Sequence, residues 1–265
     1  MEYGPVTLDR LLVLHQAIGY PVALVLGPLA LASFAGRWRH RAVGLGYAAG
    51  MTVLYLTGSA FTFTQYAYAS WEFWRNVVFN LVGALYVAMG LRAGMLWRAG
   101  STAEPALVDH ALRWLLSATV ALMLGLAVIK STPLRVFTLL SLILLWLEHR
   151  DWRRGFTRAV SYARHARYSL AGYFYLMTVL SIVHLRDEVP GLARWIAPSL
   201  LGACAIWVVN GAVTPGHRLR TRLQRPTIAV VVAVSVLLAG YAVWEAWRDG
   251  FTRFPNHPPA TARHP

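Results

Sequence analysis

Charge is scarce in this sequence. Only 14% of the 265 residues are Asp, Glu, Lys or Arg, against about 25% in an average soluble domain. There is one cysteine, Cys204, so an intrachain disulfide is excluded. The only lysine, Lys130, lies outside the last apolar run, which excludes a retinal Schiff base in the last helix.

Several catalytic signatures are also missing. The chain has no P-loop, HExxH, GxSxG or clustered cysteines, which disfavours the phosphate-binding, metallopeptidase and hydrolase chemistries that those motifs carry. The eleven acidic residues fall near the ends of the apolar runs. This placement argues against a carboxylate-driven proton pump or a dimetal site. It also weakens the case for an ion-coupled transporter.

Hydrophobic residues, by contrast, make up 57% of the chain. They occur in charge-poor runs, several of which match the roughly 20 apolar residues that cross a bilayer. We therefore predict an all-α, polytopic transmembrane bundle of about eight helices. The fifth helix is short for a span, so helices four and five could instead form a re-entrant pair. The predicted spans are 10–34, 43–66, 75–97, 108–129, 133–148, 168–186, 193–213 and 226–247.

The distribution of arginine orients these spans. The net charge of +14 reflects basic loops rather than a nucleic-acid surface, and no nucleic-acid partner is expected. Cytoplasmic loops are rich in Arg and Lys, and most basic residues fall in one set of alternate loops if both termini face the periplasm. We predict a multi-pass protein of the bacterial inner membrane, with one domain over 1–247 and a proline-rich, disordered tail over 248–265.

Three segments carry a recognisable pattern: LHQAIGYPVALVLGPLAL, GRWRHRAVGLGY and NLVGALYVAMGLRA. The first two resemble the opening, and the third resembles the third helix, of a bacterial family of predicted multi-pass membrane proteins of unknown function. HARYSLAGYFYLMTVL and WIAPSLLG resemble later segments, whereas 100–160 carries no resemblance. The resemblance implies a membrane fold and no activity.

Four histidines form two layers in the predicted topology. His15 and His184 lie at similar depth near the outer face, and His40 and His165 lie near the cytoplasmic face. Two imidazoles on facing helices can ligate one haem iron, so these four residues are candidate metal ligands for haem b. The ordinary alternative is that each histidine reaches the interface and bonds a carbonyl or water there.

The second predicted helix carries many hydroxyl and amide groups in its outer half, which is unusual for a lipid-facing helix. These groups predict either a quinone or small-molecule pocket or ordinary interhelical hydrogen bonds. Arg92, one turn from the inner end of helix three, is expected to bind an anionic lipid headgroup. The predicted pocket residues are Gln16, Tyr55, Ser59, Thr62 and Gln65.

Together these features predict a membrane electron-transfer protein that uses b-type haem and a quinone, with no catalytic residue assigned. Two alternatives remain open. One is a cofactor-free accessory subunit that packs against other membrane subunits. The other is a transporter-like protein that binds lipid or a small molecule.

Overall fold

The described residues form eight helical rods, as the sequence predicts, and contain no β-strand. The first rod consists of two α-helices joined by a π-helical turn. The computed structural model describes residues 5–33, 37–99, 105–129, 132–184, 191–212 and 218–248. The helices are α1 (Pro5–Pro21), α2 (Gly27–Ala32), α3 (Arg37–Gln65), α4 (Trp71–Ala99), α5 (Leu107–Ile129), α6 (Thr132–Arg154), α7 (Arg158–His184), α8 (Gly191–Ala212) and α9 (Arg218–Arg248).

The first rod is interrupted where its prolines lie. A π-helical turn, Val22–Leu26, separates α1 from α2. Pro21 lacks an amide proton and crowds the carbonyl four residues earlier, and a wider turn is one way for a helix to accommodate such a defect. Pro28 stands at the start of α2, where its missing N–H costs little.

Local chemistry fixes several helix ends. Ser70 caps α4 by accepting a hydrogen bond from the Phe73 amide, 3.1 Å away. Gly155, at φ 75°, turns the chain after α6, because glycine adopts this left-handed conformation without a Cβ clash. The hydroxyl of Thr157 then caps α7 by accepting from the Val160 amide at 3.3 Å.

Helix α7 is the centre of the bundle. It packs most extensively against α4 and also against α8 and α9. Its side chains include the fully buried Tyr168 and the nearly fully buried Tyr173 and Met177. A Cβ on Gly90 of α4 would lie 3.1 Å from the Ser169 hydroxyl, so the small residues of α4 permit a close approach to α7.

Three of the described helices are long and apolar enough to cross a membrane: Val13–Ala32, Trp71–Ala99 and Leu107–Val128. Ala197–Val208 and Pro226–Leu238 are apolar over shorter stretches. Helix α6 has 23 residues, about 34 Å at 1.5 Å per residue, but charged groups occupy its last turns. The eight-span topology and its orientation stay predictions, and the predicted tail beyond Arg248 lies outside the described residues.

Candidate functional site

His40 and His165 lie side by side, although 125 residues separate them in the sequence. Their ring centroids are 5.9 Å apart in an edge-to-face arrangement. His40 comes from the first turn of α3, and His165 comes from the second turn of α7. Trp97 of α4 stacks on His165, with centroids 6.3 Å apart and an interplanar angle of 16°.

Backbone carbonyls hold both imidazoles in one tautomer. Nδ1 of His40 donates to the Ala30 carbonyl at 2.9 Å, and Nδ1 of His165 donates to the Gly90 carbonyl at 2.8 Å. A carbonyl oxygen can only accept, so the ring proton resides on Nδ1 and Nε2 is the basic atom in each neutral ring. Histidines that ligate a metal ion typically donate their other ring N–H to a carbonyl or carboxylate in the same way.

The two rings line a cavity of about 100 Å³, which we call the histidine cavity. Tyr47 also lines it, and its buried hydroxyl has no hydrogen-bond partner among the described residues. An unpartnered buried phenol is costly and offers a donor to a ligand. Arg41 and Arg98 add positive charge to the cavity wall.

His165 precedes the predicted span 168–186 and is largely buried. Burial lowers its pKa, the hydrogen bond to the Gly90 carbonyl opposes this shift, and the nearby His40 and Arg98 lower the pKa further. The net shift is downward. The ring is therefore neutral at pH 7 and can accept a proton or bind a ligand through Nε2.

Haem binding by His40 and His165 stays a prediction. The histidine cavity, at about 100 Å³, is smaller than the roughly 150 Å³ cavity that holds benzene in a protein core, so a porphyrin would enter only if the surrounding helices moved apart. Among the described residues, no group of three or more His, Cys, Asp or Glu side chains is placed to hold a metal ion.

His15 has an ordinary partner within the bundle. Its Nδ1 lies 2.9 Å from the Thr57 hydroxyl of α3. Thr57 already donates its own proton to the Val53 carbonyl at 2.9 Å, so the imidazole N–H is the donor. His184 ends α7, but its side chain lies outside the part of the chain that the structure describes. The pairing of His15 with His184 therefore stays a prediction.

Three of the predicted polar residues do line one pocket, between α3 and α4, which we call the seam pocket. It has a volume of about 450 Å³, and Tyr55, Ser59 and Thr62 contribute to its wall. Asn80 of α4 joins them and donates to the Thr62 hydroxyl at 3.5 Å.

The two remaining pocket candidates, Gln16 and Gln65, are not part of that wall. Gln16 is buried, and its side-chain oxygen has no partner among the described residues.

Arg92 contacts a carboxylate instead of presenting all its donors to lipid. Its Nε donates to Asp109 at 3.0 Å, and its Nη2 donates to the same carboxylate at 2.7 Å. Asp109 is buried in the first turn of α5. This bidentate pair ties α4 to α5 and occupies most of the guanidinium that the sequence assigns to a lipid headgroup.

A buried ionic network joins α6 to α7, and sequence reasoning missed it. Arg164 donates from Nε to Glu148 at 3.1 Å, and Tyr168 donates its hydroxyl to the same carboxylate at 2.9 Å. Arg167 donates to Asp151 at 2.7 Å. All five side chains are buried. We call Glu148, Asp151, Arg164, Arg167 and Tyr168 the ionic network.

The electrostatic environment of Arg167 favours its charged form. Burial opposes the charge on Arg167, but Tyr168, Asp151 and Glu148 raise its pKa above the ordinary value.

The sequence does contain a signal for the ionic network. Glu148 and Asp151 are three residues apart, as are Arg164 and Arg167, so each pair shares one helix face.

Comparison with known proteins leaves the family resemblance untested. No family model matches the chain, and neither the curated proteins nor the solved structures contain a protein significantly similar to it.

Proposed function

We propose that this protein binds a lipid-soluble quinone or quinol, with the ring in the histidine cavity and the isoprenoid tail along the seam pocket. One observation carries this proposal. The histidine cavity places a buried, unpartnered phenol, Tyr47, beside the paired imidazoles of His40 and His165. The proposal keeps a quinone as the ligand but moves its ring from the predicted pocket in the outer half of the second predicted helix to the histidine cavity, and it omits the haem.

The polar groups complement a quinone ring in both redox states. A quinone carbonyl accepts a hydrogen bond, which the Tyr47 hydroxyl can donate. A quinol hydroxyl donates a hydrogen bond, which Nε2 of His165 can accept.

The available volumes set a condition on such a ligand. The histidine cavity, at about 100 Å³, is smaller than the roughly 150 Å³ cavity that binds benzene, so a quinone ring enters only if side chains of the wall move outward. The seam pocket adds about 450 Å³ and is mostly apolar in its wall. Val87 and Leu91 line both spaces, so the two pockets adjoin the same side chains, and the proposed tail passes these side chains to reach the seam pocket.

Thermal unfolding with a short-chain ubiquinone analogue tests this proposal. We expect the analogue to raise the Tm of the purified protein, because a ligand of the folded state stabilises it. Tyr47→Phe removes one hydroxyl and should weaken binding about tenfold, the cost of a lost hydrogen bond. Tyr66→Phe is the matched control, since Tyr66 lies beyond the end of α3, away from both pockets.

Two results would count against quinone binding. The first is an unchanged Tm of the wild-type protein at saturating analogue. The second is equal affinity in Tyr47→Phe and wild type. An absorption spectrum of the same preparation distinguishes haem binding from quinone binding. A Soret band that is present in the wild type and lost in His165→Ala would support the haem interpretation. A colourless protein without quinone affinity would favour the accessory-subunit interpretation.

A further inference from the structure

A second groove lies on the other side of α7, between α6 and α8. It has a volume of about 580 Å³. Two exposed tryptophans, Trp146 of α6 at 61% and Trp207 of α8 at 53%, contribute to its rim. We call it the α6–α8 groove. Its apolar wall includes Phe137, Leu140, Leu144, Phe174, Ala203 and Ile206.

Three hydroxyl groups inside the α6–α8 groove have hydrogen-bond partners within the protein. Tyr86 donates its hydroxyl to Ser141 at 2.9 Å. Thr178 donates its hydroxyl to the Phe174 carbonyl at 2.8 Å. These groups need nothing from an occupant, so the interior of the groove favours hydrocarbon.

One end of the α6–α8 groove is strongly basic. Arg150 and Arg154 contribute to its wall there. Nε of Arg150 is buried without a partner among the described residues. The nearest carboxylate, Asp151, lies 3.3 Å from Arg150 but 2.7 Å from Arg167, which is fully buried. Positive charge therefore exceeds negative charge at this end.

We propose that the α6–α8 groove binds an anionic phospholipid, with the headgroup at Arg150 and Arg154 and one acyl chain along α6. From Phe137 to Arg154 the groove runs about 25 Å at 1.5 Å per residue, which exceeds the roughly 15 Å of one hydrocarbon leaflet. The two arginines and the unpartnered Nε supply the charge complementarity. This site is independent of the proposed quinone site.

Native mass spectrometry of protein taken from mixed bilayers tests the proposal. The protein is reconstituted in phosphatidylcholine with a minor fraction of phosphatidylglycerol and then extracted in mild detergent. We expect the wild-type protein to retain phosphatidylglycerol selectively. The double variant Arg150→Gln/Arg154→Gln should bind it roughly thirtyfold more weakly, since both headgroup contacts are lost. Arg153→Gln, an exposed arginine outside the groove, is the matched control.

A second variant tests the acyl-chain half of the site. Ala203→Phe places a ring in the groove and leaves both arginines intact, so it should also abolish retention. Size-exclusion elution at the wild-type volume verifies that each variant is folded. The proposal is overturned by equal retention of the two lipids, by full retention in the double arginine variant, or by full retention in Ala203→Phe. A changed oligomeric state in Ala203→Phe with lipid still bound would instead assign the groove to a protein partner.

Discussion

At the residue scale, the buried charges are the most consequential side chains in this protein. Glu148 and Arg167 are both fully buried, and Arg164 is nearly so. Moving such charges out of water is costly unless each has a partner. Some guanidinium nitrogens, including Nη1 of both arginines, have no partner among the described residues. Any loss of a carboxylate from the ionic network should therefore be poorly tolerated.

We predict that Glu148→Gln destabilises the protein by roughly 3–5 kcal/mol, the cost of breaking a buried ion pair. Thermal or denaturant unfolding in detergent measures this loss. The exposed Glu72, in the first turn of α4, provides the control, because Glu72→Gln should change stability by less than about 0.5 kcal/mol. The double variant Glu148→Gln/Arg164→Met should recover part of the loss. Equal Tm values of Glu148→Gln and Glu72→Gln would show that water reaches the ionic network.

At the scale of the elements, close contacts between helices depend on single glycines. Gly27 begins α2, and a Cβ there would overlap the ring of Tyr173 on α7. The Tyr173 hydroxyl in turn donates to the Ala23 carbonyl at 3.2 Å. Tyr173 also lines the histidine cavity. The distance between the first rod and α7 thus helps to set the shape of that cavity.

We expect Gly27→Ala to cost about 1–3 kcal/mol of stability, as overpacking of a closely packed contact usually does, and to weaken quinone binding. Gly125 is the matched control in α5, since a Cβ there meets no atom within 4 Å. Gly125→Ala should be neutral or slightly stabilising, because alanine is the better helix former. Unfolding measurements on both variants test the difference. If Gly27→Ala were as stable as Gly125→Ala, α2 would not be tightly packed on α7.

At the scale of the whole molecule, the membrane topology decides which side of the membrane each proposed site faces. Three described helices are apolar and long enough to cross a membrane. Among the other described helices, α6 and α7 carry charges that the fold buries in the ionic network. The predicted eight-span arrangement places the arginine-rich 150–167 segment, and hence the histidine cavity and the basic end of the α6–α8 groove, in the cytoplasm.

Cysteine labelling in intact cells tests this arrangement. With Cys204 replaced by serine, Ala69→Cys marks the loop between α3 and α4, and Arg158→Cys marks the start of α7; both positions are exposed. A membrane-impermeant maleimide should label position 69 in intact cells and position 158 only after permeabilisation. Labelling of position 158 in intact cells would show that the orientation is the opposite of the predicted one. The predicted periplasmic location of His15 would then be wrong.

The sequence by itself determined the helical architecture. Apolar runs and arginine-rich loops are local features, so the eight rods could be predicted, with ends displaced by several residues where charged turns continue a helix. Alternation of the spans also put His40 and His165 at one depth, and the rings do lie 5.9 Å apart. Their predicted role as iron ligands stays untested.

Only the tertiary structure decided which side chains meet and how much space they leave. It united Tyr55, Ser59 and Thr62 in one pocket and left Gln65 outside it. It also buried Glu148 against Arg164, although the sequence places Glu148 at the end of a predicted span and Arg164 in a loop. Such contacts depend on helix rotation and interhelical distance, which long-range packing sets and which no run of neighbouring residues encodes.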